Sequence, residues 1–124
     1  MAALLKRGPP NAFCGGVLIT DSHVLTAAHC VKRLQPRELF VRLGEYDFST
    51  YNETRTRDFR VVDIKKHVDF DETTYENDIA ILKLHRATVF NTYIWPVCMP
   101  PADQLWDGYW GIVTGNRKLY LFAL

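Results

Sequence analysis

Two residues stand where acid–base chemistry would need them. His29 closes the run Leu25-Thr26-Ala27-Ala28-His29, at the end of an apolar strand and just ahead of Cys30. Asp78 stands directly before Ile79-Ala80-Ile81-Leu82, a continuous apolar run of the kind found in a buried strand. A carboxylate entering such a run must point to solvent or find a partner, because an unpaired buried charge is too costly to persist. A histidine that donates its ring N–H satisfies it. The carboxylate then fixes the imidazole's tautomer and stabilises the imidazolium formed when the ring takes a proton. Each residue alone has a plainer account: a hydrogen-bonded histidine, and an aspartate that starts a strand with a turn hydrogen bond.

The chain has three cysteines, Cys14, Cys30 and Cys98, so at least one has no internal partner. Their spacing is not that of a zinc site, since no C-x-x-C occurs and no second His or Cys lies close enough. If Cys14 and Cys30 pair, His29 is tied covalently to a neighbouring strand, where Gly15 and Gly16 would admit a second backbone. A bridge closing a loop of about 15 residues contributes roughly 3 kcal/mol in the chain-entropy account. Only two serines occur, Ser22 in a turn and Ser49 in a polar loop.

The elements that must position these residues read as strands. Short apolar or alternating segments, split by polar turns, predict an all-β protein. The segments are Ala2–Leu5, Phe13–Thr20, Val24–Ala27, Leu39–Leu43, Phe59–Lys66 and Ile79–Leu84. Six short antiparallel strands of this spacing suit a small closed barrel, which leaves no exposed edge. Residues 44–58 are polar and read as a surface loop, and no long helix fits anywhere. Trp95-Pro96-Val97-Cys98-Met99-Pro100-Pro101 reads as an extended connector, because proline lacks the donor a ladder needs. Gly111 to Gly115 looks like a new strand without a visible partner.

Composition narrows the function classes. At 124 residues, with a net charge of +1 and both signs interspersed, the chain fits one globular domain. It lacks the basic stripe expected of a nucleic-acid binder. No apolar run approaches the ~20 residues that span a bilayer, so no membrane partner is expected. Met1 to Leu5 is shorter than the ~7–15 apolar residues of a signal peptide. Asn52-Glu53-Thr54 is a glycosylation sequon, which makes Asn52 a candidate site in a secreted protein.

Taken together and in order, these segments resemble the trypsin-like serine proteases over almost the whole chain. Phe13-Cys14-Gly15-Gly16-Val17-Leu18-Ile19 is similar to the family's first cysteine motif, and Leu25-Thr26-Ala27-Ala28-His29-Cys30 to its histidine motif. Asn77-Asp78-Ile79-Ala80-Ile81-Leu82 is similar to its aspartate motif, and Pro96-Val97-Cys98-Met99-Pro100 to the connector between its two barrels. Leu43-Gly44-Glu45-Tyr46-Asp47 and the first thirty residues look most like the clip-domain proteases of arthropod haemolymph, which act in clotting and melanisation cascades.

The resemblance implies that His29 is the general base and Asp78 its orienting partner. It implies the first, six-stranded barrel of a two-barrel fold over residues 1–115, with the second barrel absent and a divergent tail at 116–124. The tail reads either as sequence foreign to the family or as a basic-hydrophobic interaction element. The family's Gly-Asp-Ser-Gly-Gly nucleophile motif and primary specificity pocket are not in this sequence. Its Ile-Val-Gly-Gly-like mature N-terminus would precede Met1. The expected function is therefore that of a truncated serine endopeptidase, acting on protein substrates in its parent and inactive alone. The alternative is a non-catalytic homologue that binds cascade partners. Secretion is implied by the family and by disulfide-type cysteines, and Cys98 would bridge to an upstream pro-segment. No cofactor is required. In some relatives the loop at Glu45 binds calcium, and Glu45, Asp47 and Glu53 are oxygen donors of the type that ion takes, although a solvated acidic loop is the simpler account.

Overall fold

Where one face of a strand is buried, every second side chain must be apolar, and this pattern builds the fold. The computed structural model describes residues 1–8, 12–44 and 56–113, and the backbone of the strand at 120–123. Its strands are β1 (Ala2–Lys6), β2 (Ala12–Leu18), β3 (His23–Thr26), β4 (Leu39–Leu43), β5 (Arg57–Lys66), β6 (Ala80–Leu84), β7 (Trp110–Val113) and β8 (Tyr120–Ala123). The first six close into an antiparallel barrel in the order β1-β2-β3-β6-β5-β4. Between β3 and β4 lie a single-turn helix, α1 (Ala28–Val31), and a 3₁₀ turn at Pro36–Glu38.

The expected all-β barrel is what forms. Leu39, Val41 and Leu43 of β4 and Ala80, Leu82 and Leu84 of β6 point inward, where they meet Leu4, Leu18, Val24 and Phe59. Leu4, Val24, Leu39, Val41 and Leu82 are wholly buried. Burial of each such side chain contributes about 1.5–3 kcal/mol, which makes this interior the main source of stability.

Three readings of the sequence need correction. The run Ile79-Ala80-Ile81-Leu82 is not buried throughout, because Ile79 and Ile81 are 42% and 38% exposed. Only the inner face of a barrel strand enters the core, so a continuous apolar run still splits into buried and outward residues. The strand at Gly111 does have a partner: Trp110–Val113 pairs antiparallel with Tyr120–Ala123, inside the stretch read as tail. Finally, His29 does not end a strand. β3 stops at Thr26, and His29 lies in α1.

Residues 88–104 run without strand structure, as the prolines require, and the Val97 N–H donates to the Leu18 carbonyl at 2.8 Å. Val89, Trp95 and Met99 along this stretch face solvent, as do Leu105, Trp110 and Ile112 beyond it. No helix among the described residues is long and apolar enough to cross a membrane.

Close backbone approach at Gly16 gives a direct test of the packing. A Cβ there would lie 2.8 Å from the Leu25 carbonyl oxygen and 2.9 Å from Val24 Cγ1, whereas one at Gly15 would meet only the Ala2 carbonyl at 3.8 Å. Chemical denaturation should show Gly16→Ala destabilised by about 1–3 kcal/mol and Gly15→Ala unchanged within about 0.5 kcal/mol. Equal effects would contradict this packing.

Candidate active site

His29 and Asp78 are 49 residues apart and meet because of strand register. β3 and β6 are antiparallel neighbours with Thr26 opposite Ala80. The chain leaves β3 for α1 at the same end of the barrel where it enters β6, so His29 and Asp78 emerge side by side. His29 Nδ1 lies 2.6 Å from Asp78 Oδ2, and the His29 backbone N–H donates to Asp78 Oδ1 at 2.7 Å.

The second bond has a local cause. The first N–H groups of any helix lack partners within it. Ala27 sits at the N-cap of α1 with no side-chain oxygen to offer. Asp78, in the segment that leads into β6, caps the helix instead, and the Ala28 N–H also contributes to holding its charge. Burial acts to raise the Asp78 pKa. The bonds from the His29 backbone and ring, the charge of that ring and the Ala28 N–H outweigh burial, so the carboxyl is held below its ordinary value.

A carboxylate only accepts hydrogen bonds, so the neutral imidazole must carry its proton on Nδ1. That leaves the Nε2 lone pair unused. Nε2 lies 3.7 Å from Cys30 Sγ, which has no proton to give because Cys30 is bonded to Cys14. The His29 side chain is 46% exposed and that of Asp78 is 20% exposed. The carboxylate is sheltered while the ring's outer edge faces outward.

Two further features hold the ring. The Cys14–Cys30 disulfide joins β2 to α1 across a Cα–Cα distance of 6.2 Å. Thr26, buried at the end of β3, donates its hydroxyl to the Gly15 carbonyl at 2.8 Å. The histidine's backbone is thus anchored to β2 on one side and, through Asp78, to β6 on the other. Cys14, Cys30 and His29 bring their donor atoms within 4.8 Å of one another. Sulfurs joined in a disulfide have no thiolate for a metal, so this cluster is not a metal centre.

Sequence reasoning missed the residue that packs edge-on to the imidazole. The Tyr75 ring stands 5.7 Å from the His29 ring at an interplanar angle of 84°. It is carried on a loop fastened by its own hydrogen bonds. The Tyr75 N–H donates to the Asp71 carbonyl, and Asp71 Oδ1 accepts from the Thr73 and Thr74 N–H groups. The Asn77 side chain donates to the Asp69 carbonyl. Tyr75 and Asn77 both have positive φ, at 59° and 56°. No spacing or motif signals a left-handed tyrosine.

Cys98 lies on the connector as an exposed free thiol. Asn52, Glu45, Asp47, Glu53 and Ser49 lie outside the described residues. Ser22 sits in the turn between β2 and β3 with its hydroxyl 3.3 Å from His23 Nδ1, so the structure does not bring it to His29.

Comparison with known proteins places this geometry among relatives. The family model described as Trypsin matches residues 1–119. The Proclotting enzyme of Tachypleus tridentatus is 44% identical over 114 residues, covering 86% of this chain and 30% of that protein. Serine proteinase stubble of Drosophila melanogaster is 39% identical, covering 86% of this chain and 14% of that protein. CLIP domain-containing serine protease HP8 of Bombyx mori is 37% identical, covering 83% of this chain and 32% of that protein. The chain therefore spans about a third or less of the length of these curated relatives.

The lowered Asp78 pKa predicts a pH dependence of stability. The ionised carboxylate is preferred by the folded state, so its contribution is complete above the unfolded aspartate value, about 3.9. It is lost as pH falls through the lower folded value. Asp78→Asn should lower unfolding free energy at neutral pH by roughly 1–3 kcal/mol, and the gap from wild type should shrink on acidification below about pH 4. A gap that is constant with pH would rule out this linkage.

Proposed function

The chain belongs to the trypsin family, and from that premise we propose that it supplies the general base and the orienting carboxylate of a serine-type endopeptidase. The observation that carries the proposal is the 2.6 Å contact between His29 Nδ1 and Asp78 Oδ2, with Nε2 left to face outward. In this reading Nε2 takes the proton from a serine hydroxyl as its oxygen attacks a peptide carbonyl. Asp78 stabilises the imidazolium without itself being protonated, and Nε2 then passes the proton to the leaving amine. Water repeats the sequence on the acyl-enzyme, with His29 again as base.

The hydroxyl itself is not supplied by the two serines of this sequence, since Ser22 is engaged with His23 and Ser49 stands in the polar loop. We place the nucleophile, the oxyanion-hole donors and the specificity pocket in the remaining length of the parent protein, where the resemblance also puts the second barrel. The likeness to the Proclotting enzyme and to a CLIP domain-containing serine protease supports a secreted protease that cleaves protein substrates within a cascade. The disulfide fits an oxidising compartment. The exposed thiol of Cys98 fits a bridge to a segment upstream of the barrel.

The test is peptide amidolysis by the full-length parent. Asp78→Asn should lower kcat on the order of 10⁴-fold and His29→Ala on the order of 10⁶-fold, each with little change in KM. The 124-residue chain alone should show no turnover. Activity of Asp78→Asn within tenfold of wild type would sink the assignment. A transcript that stops after Leu124 would turn the reading to a non-catalytic homologue.

A further inference from the structure

The disulfide beside the histidine locks up two sulfurs that, once freed, suit a metal. Cys14 Sγ, Cys30 Sγ and a His29 ring nitrogen all lie within 4.8 Å of one another. A tetrahedral zinc holds thiolates at about 2.3 Å and an imidazole nitrogen at about 2.0 Å. Those lengths set a sulfur and a nitrogen about 3.5 Å apart and two sulfurs about 3.8 Å apart. His29 Nε2 already stands 3.7 Å from Cys30 Sγ. Only the two sulfurs are too close together, and only because they are bonded to each other. Both cysteines are half-buried and His29 is exposed, so a reductant and an ion can reach them.

Other bonds hold these residues in place besides the disulfide. Cys14 lies in β2 opposite Leu4 of β1, and β2 pairs in turn with β3. Thr26 joins the end of β3 to Gly15, next to Cys14. α1 is held from the other side, where the His29 N–H donates to Asp78 Oδ1. The ring is prepared as well. Asp78 engages its Nδ1 at 2.6 Å, which leaves Nε2 as the free donor atom on the side of Cys30. A carboxylate on the far nitrogen is the usual support of a zinc-bound imidazole, fixing its orientation and strengthening it as a ligand. Three protein ligands leave the fourth position to water.

We propose that the reduced chain binds one thiophilic divalent cation of the zinc class through Cys14 Sγ, Cys30 Sγ and His29 Nε2. A dithiol reductant opens the bond by exchange. Two electrons and two protons pass to the cysteine sulfurs, and the reductant closes into its own disulfide. The two thiols release their protons as the metal binds. Two thiolates and an imidazole select such an ion over magnesium or calcium, which prefer oxygen. On the reading of His29 as a general base, the metal takes the lone pair that would accept the serine proton, so the reduced and loaded form has no base. The metal site itself stands apart from that reading.

Cobalt titration of the full chain tests it, in a Cys98→Ser background that removes the exposed free thiol. The chain is reduced with dithiothreitol, freed of reductant by gel filtration under nitrogen, and titrated with Co²⁺ alone. Reduced protein should take up one equivalent and show the sulfur-to-cobalt charge-transfer band and visible bands of tetrahedral cobalt. Stoichiometric Zn²⁺ should abolish both, and the disulfide form should show neither. Asp78→Asn keeps all three ligands and should weaken binding by about 10–100-fold. Cys14→Ser and His29→Ala each remove a ligand and should weaken it at least as much. Loose capture by an unfolded chain would not respond to Asp78. A reduced chain without the tetrahedral spectrum, a disulfide form that shows it, or Asp78→Asn binding as tightly as the Cys98→Ser chain would each overturn the proposal.

Discussion

One carboxylate serves two structural ends. Asp78 accepts the backbone N–H of His29 at the start of α1 and also the proton on that residue's ring. The first bond completes a helix that its own N-cap residue, Ala27, cannot complete. The second sets which ring nitrogen carries the proton. Because both bonds converge on one side chain, the backbone of His29 and its imidazole cannot drift independently. Everything else around the site keeps this carboxylate and this histidine opposite each other. The β3–β6 register brings the two segments out together, the disulfide ties α1 to β2, and the 67–79 loop brings Tyr75 against the ring.

The energetic division follows from burial. The barrel interior is apolar and supplies the stability, while the polar work is done at one end where solvent is within reach. Asp78 is sheltered enough for its bonds to be strong, yet its three donors more than offset the cost of burying its charge. His29 remains exposed enough to meet a reactant.

Much of this was legible in the sequence, for identifiable reasons. Leu39-Phe40-Val41-Arg42-Leu43 shows its strand plainly because one face is buried and the other is not. His29 and Asp78 stand out because each adjoins an apolar run that a charge or a polar ring should avoid. What joins them is register, a property of two distant strands that local pattern does not encode. Ile79 and Ile81 misled because an apolar run does not say which face is inward. β7 seemed unpartnered because its mate, Tyr120–Ala123, carries no turn signal or alternation that sets it apart. Tyr75 was invisible for a different reason: its role depends on a left-handed backbone conformation that its residue type disfavours.

The claim at the centre is that Asp78 holds His29 in the tautomer protonated at Nδ1, with Nε2 presented as a base. The most direct measurement is nitrogen NMR of the chain labelled with ¹⁵N-histidine, at a pH where the imidazole is neutral. The account predicts that His29 shows a protonated Nδ1 and an unprotonated Nε2, and that Asp78→Asn destroys this preference. A wild-type His29 protonated mainly at Nε2, or averaging freely between tautomers, would contradict it.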